Sequence, residues 1–131
     1  MKFVGAVALL LAWAAAGAEE AASEVRYVEL QPAFVTNFGI SDNGRLQYVK
    51  ADVSVRVDSQ AGEMAARTHL PALRNAMVLL LSRQDEASVS TSSGREAIRA
   101  EALADLRAVL EQEEGQPYIE EVLFTNFIVQ R

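Results

Sequence analysis

Residues 46–59 read LQYVKADVSVRVDS, an almost unbroken alternation of apolar and polar side chains. An extended chain sends successive side chains to opposite faces. Val49, Ala51, Val53, Val55 and Val57 therefore share one face, and Tyr48, Lys50, Asp52, Ser54, Arg56 and Asp58 share the other. Such a strand belongs in an antiparallel sheet that is dry on one side and wet on the other. The cover for the dry side has to come from elsewhere in the chain.

Upstream, residues 25–38 (VRYVELQPAFVTNF) are rich in β-branched and aromatic residues, but Pro32 lies among them. Proline cannot donate to a ladder, so this stretch is predicted at a sheet edge or split into two short strands. Asn43-Gly44 marks a hairpin turn into the alternating strand.

Past residue 60 the apolar period lengthens. Met64, Leu70, Leu73, Met77, Leu80 and Leu81 recur at helical spacing between residues 61 and 83. Pro71 predicts a kink, or a fresh helix with Pro71 in its first turn. The MVLLL run, residues 77–81, is apolar on nearly all sides and predicts deep burial. Residues 84–93 read as a polar link, and Ser93 with Glu96 as a capping box. The helix that follows runs to about Glu114, with Ile98, Ala102, Leu103, Leu106, Val109 and Leu110 as its buried stripe. Gly115 stops it and Pro117 prevents restart.

The chain closes on EEVLFTNFIVQR. Strict alternation sends Val122, Phe124 and Ile128 one way and Leu123, Phe127 and Val129 the other. Both faces of this strand would then need cover, from the chain's own helices or from a partner. The fold class expected is α+β: a small antiparallel sheet, made of a hairpin and the C-terminal strand, covered by two helices. Phe34, Phe38, Phe124 and Phe127 are core candidates, and part of that set is a candidate contact face.

The N-terminus has its own logic. Lys2, an apolar run over residues 3–16 and the small-residue ending Ala16-Gly17-Ala18 match a secretory signal peptide cleaved after Ala18. A short membrane anchor is the other reading of residues 1–18, since the run is shorter than the roughly 20 apolar residues that span a bilayer comfortably. Residues 19–26 read as an acidic tether and 27–131 as one exported domain. The chain has no cysteine, so neither disulfides nor thiolate ligands stabilise it. Its net charge of −6 disfavours a nucleic-acid partner and adsorption to anionic lipid by charge alone.

Bond chemistry finds little support. His69 is the single histidine and stands beside Leu70 and Pro71, a poor start for a metal centre. There is no Gly-x-Ser-x-Gly elbow and no glycine-rich phosphate cradle. No catalytic residue, cofactor site, metal site or small-molecule substrate is expected.

The residues left to explain carry a resemblance. GREAIRAEALADLRAVLEQEEGQPYIEEVLFTNFIVQ resembles the ending of the flagellar basal body-associated FliL family, in which a small-residue-plus-glycine cap opens a helix and an acidic, aromatic strand follows. Val122, Phe124, Thr125, Phe127 and Gln130 match the strand pattern V-x-F-T-x-F-x-x-Q. YVELQPAFVTN resembles the family's first extended segment, LQYVKADVSVRV its second strand, and LPALRNAMVLLLS its first helix. The resemblance implies a domain similar to the stomatin/prohibitin type in the periplasm, associated with the inner membrane at the flagellar basal body. It implies a homo-oligomer or ring around the flagellar stator units, supporting flagellar rotation and thus swimming or swarming, cell motility and chemotaxis. It implies neither an enzyme nor a cofactor. Those five strand residues are the motif positions it carries over.

Overall fold

A computed structural model describes residues 25–39 and 44–130. The expected signal or anchor segment, with Ala16 and Ala18, lies outside the described residues, as do most of the acidic tether and Asn43 of the hairpin turn. Among the described residues no helix is long and apolar enough to cross a membrane.

The alternating strand, β3 (Tyr48–Val57), is the centre of the sheet. The stretch ahead of it divides at the proline into β1 (Arg26–Glu29) and β2 (Phe34–Asn37). Both pair antiparallel with β3 along the same edge, β1 from Arg26↔Val57 to Glu29↔Ser54 and β2 from Phe34↔Ala51 to Asn37↔Tyr48. Pro32 predicts an edge position or a split into two short strands, and both describe what forms. The last strand, β4 (Ile119–Gln130), lies along the opposite edge of β3.

Helices α1 (Gln60–Thr68) and α2 (Leu70–Ser82) replace the single helical period of residues 61–83. The chain breaks at His69, and Pro71 sits at the start of α2, where a missing N–H costs least. Ser59 caps α1 by accepting from the Gly62 N–H at 3.0 Å. His69 Nε2 lies 2.8 Å from Glu114 Oε1, tying this junction to the far end of the longest described helix.

The link after α2 is less featureless than its polarity suggests. It holds α3 (Glu86–Ser90), closed at its start by a capping box of Asp85 and Ser88, with Val89 fully buried. Helix α4 (Ser92–Glu114) begins earlier than expected: Thr91 is the N-cap, accepting from the Gly94 N–H at 3.0 Å. The Ser93–Glu96 capping box does not form, because Ser93 is already helical and the Glu96 carboxylate is taken by Arg99 at 2.9 Å. Gly115 ends α4 in the left-handed region at φ 84.

The helices lie on one face of the sheet. Ala66, Leu73, Met77, Leu80, Leu81, Ile98, Ala102, Leu106 and Leu110 pack against the valine face of β3, with Phe34 and Phe38 at the β2 end. Two expectations about α1 and α2 need correction. Met64 points to solvent, since Gly62, Ala65 and Ala66 form the buried side of α1. Within MVLLL, Val78 and Leu79 are exposed, because one helix meets only one sheet face. The far face of the sheet carries exposed Tyr27, Val35, Tyr48, Lys50 and Ile128.

Candidate protein interface

The doubly apolar ending of the chain resolves into a single apolar face. β4 pairs with β3 from Val57↔Ile119 to Tyr48↔Gln130, but its register slips twice, leaving Glu120 and Thr125 without partners as β-bulges. Each bulge adds one residue and inverts the face of everything beyond it. Ile119, Val122, Phe124, Phe127 and Val129 consequently stand opposite Val57, Val55, Val53, Ala51 and Val49 in turn. All five face the helices. The expectation that Phe124 and Phe127 diverge, and that both faces of β4 are covered, is thereby overturned. Only Leu123 and Ile128 remain on the far side, across from Ser54 and Lys50, and Ile128 is 48% exposed.

The motif residues separate by role. Val122 is fully buried core. Phe124 and Phe127 sit half-buried at the core margin, their rings edge-on with centroids 5.3 Å apart. Thr125 and Gln130 are exposed, the first at the bulge and the second at the strand end opposite Tyr48. Of the other phenylalanines, Phe34 and Phe38 are fully core.

Beside these two rings runs a groove of about 370 Å³ between β4 and the first turns of α4. Leu123, Phe124 and Phe127 form one wall, and Ser92, Arg95, Glu96 and Arg99 the other. Arg95 holds its guanidinium 6.0 Å from the Phe127 ring centroid and has no carboxylate within ion-pair distance among the described residues. Arg99 is engaged by Glu96; its hydrogen bond keeps the Glu96 carboxyl below the usual carboxylate range, and Glu96 in turn raises Arg99. The positive end of the α4 dipole adds to Arg95 at the same mouth. Sequence spacing could not bring Arg95 to Phe127, since they meet only through the packing of α4 on β4.

β4 itself is twelve residues long and, among the described residues, pairs on one side only. Its free backbone N–H and C=O groups therefore run alongside a groove that offers aromatic surface and an unneutralised cation. That combination suits contact with another polypeptide. Among the described residues no group of three or more His, Asp or Glu could hold a metal. The lone histidine is held by Glu114, far along the chain from the groove residues.

The family model for the flagellar basal body-associated protein FliL matches residues 27–130, from the first residues of β1 to the end of β4. This chain belongs to the FliL family. It is 30% identical over 96 residues to the flagellar protein FliL of Escherichia coli (strain K12), a match covering 73% of this chain and 60% of that protein. It is 27% identical over 102 residues to the flagellar protein FliL of Aquifex aeolicus (strain VF5), covering 78% of this chain and 60% of the relative. The matched region thus spans about 60% of the length of either FliL relative. It takes in the bulged strand β4 and the α4 side of the groove, so the candidate interface lies within the FliL homology.

Proposed function

We propose that this chain works as a non-enzymatic, periplasmic component of the flagellar basal body, supporting the stator units through protein–protein assembly. Membership of the FliL family supports the setting. The single observation that supports assembly is β4, a long strand free on its outer edge beside the Phe124–Phe127 groove. Protomers meet side by side along that edge, and the groove accepts a neighbour's or a stator segment's apolar side chains. Arg95 favours a carboxylate nearby on the partner. A signal or anchor segment at residues 1–18 delivers the domain across the inner membrane, where protein contacts hold it at the motor.

The test is genetic and mechanical. A strain lacking the protein is complemented with the wild-type chain or with Arg95→Glu, and swarming and torque under high load are measured. The expected result is a load-dependent defect in the deletion strain, rescued by the wild type and not by Arg95→Glu. Normal swarming and torque in the deletion strain would assign the protein to another envelope complex.

A further inference from the structure

Both neighbours of β3 depart from regular pairing at the same place. On one edge β1 ends at Glu29↔Ser54 and β2 resumes at Phe34↔Ala51, so four residues, 30–33, face only Asp52 and Val53. On the other edge, the Thr125 bulge falls between Asp52↔Asn126 and Val53↔Phe124. Strand irregularities commonly re-aim side chains at working sites. Here they open a notch of about 320 Å³, lined by the polar residues Glu29, Gln31, Asp52, Ser54 and Thr125. None of these five residues lines the aromatic groove, although Thr125 adjoins its Phe124 wall.

The notch is rich in acceptors and poor in donors. Ser54 is the one polar residue in the buried set, at 8% exposure, and its hydroxyl has no hydrogen-bond partner among the described residues. The hydroxyl is not sealed from solvent; it opens into the notch, where a ligand's N–H can reach it. Among the described residues the Asp52 carboxylate makes no ion pair, and Glu29 bonds to the Gln31 side-chain amide. Thr125 makes a long 3.5 Å contact to the Asp52 carbonyl. The cations around the notch do not neutralise it. Arg56 is held by Glu120 and Glu121 at 3.2 and 3.3 Å, and Lys50 on the same face reaches no carboxylate among the described residues. Arg74 approaches from the helix side and donates to the Leu30 and Pro32 carbonyls at 2.7 and 2.6 Å. That engages the backbone oxygens a metal ion would want and leaves the carboxylates and hydroxyls facing outward.

We propose that this notch is a binding site for the guanidinium of an arginine side chain presented by a partner protein. Two carboxylates and two hydroxyls around one small polar recess match a planar group with five N–H donors. The site takes in Thr125 of β4 but opens on the sheet face away from the described helices, so it would hold a second contact beside the one at the groove.

The protein is purified as the cell processes it and its amide NMR shifts are followed. The probe is an end-capped pentapeptide Gly-Gly-Arg-Gly-Gly, with the citrulline version as the neutral control. The expected result is saturable shifts confined to the residues around Ser54 and Thr125. The citrulline peptide should bind about tenfold more weakly, the loss expected for one charge-assisted contact. Asp52→Asn should weaken the arginine peptide about tenfold while leaving the circular dichroism melt unchanged, and Glu29→Gln provides the same comparison at an exposed position. Absence of saturable shifts, or equal binding of the citrulline peptide, would overturn the proposal. Calcium chloride displacing the peptide would make this a metal site and contradict a partner's side chain.

Discussion

At the scale of single residues, Gly94 is fixed by space. A Cβ built there would lie 2.3 Å from the Ser88 carbonyl oxygen and 2.7 Å from the Ser88 Cα, all backbone atoms that cannot rotate away. Gly94→Ala should therefore destabilise the protein by about 3 kcal/mol, the upper end of overpacking effects, measured by urea denaturation. Glu63 supplies a pH dependence. Its hydrogen bond from Arg26, then that from Arg67, holds its carboxyl below its ordinary value. A carboxyl depressed in the folded state contributes stability that is complete above the unfolded-state value and is lost as pH falls through the folded one. The melting temperature of the wild type should thus drop more steeply below about pH 4 than that of Glu63→Gln; parallel curves would assign Glu63 no role. Arg74 shows how one side chain positions an element, stacking 4.2 Å over Phe34 while it donates to two carbonyls in the β1–β2 break.

Among elements, β4 carries the clearest consequence. The extra residue at Thr125 has no partner on β3. Deleting it joins Phe124 to Asn126 in regular alternation and leaves Phe127 and Val129 facing the helices. Deleting Leu123 instead turns Phe124 to the open face. The Thr125 deletion should stay within about 1 kcal/mol of wild-type stability, while the Leu123 deletion should lose about 2 kcal/mol or more, again by denaturant unfolding. Equal losses would contradict the bulge. Much of this architecture was legible in the sequence where a period is unbroken: the β3 alternation, the split at Pro32, the restart at Pro71 and the stop at Gly115. The bulges were not legible, because a one-residue insertion leaves composition unchanged and only the partner strand's register exposes it. Helix α3 was hidden for a related reason, since a single buried valine and a local Asp85–Ser88 bond set it, and neither yields a period. The groove was half legible: the aromatic residues of β4 announce themselves, whereas Arg95 joins them only through tertiary packing.

At the scale of the whole molecule, the described residues form a sheet with one helix-covered face, one face without helices and one long edge left unpaired among them. A chain with net charge −6 places an unneutralised arginine beside aromatic rings at that edge and unneutralised carboxylates in a recess on the open face. Two surfaces of opposite character on one small domain suit a component that bridges neighbours in an assembly. The free edge also explains why the central strand of the core, β3, can be regular while β4 is not: bulges twist an exposed edge away from indiscriminate pairing and restrict which partner fits. The most direct measurement is the mass of the purified protein across a range of concentrations, alone and with the periplasmic region of the stator, for the wild type and for Arg95→Glu. The wild type should form a larger species, self-assembled or stator-bound, and Arg95→Glu should remain a folded monomer. A wild-type protein that stays monomeric at every concentration and ignores the stator would contradict the account.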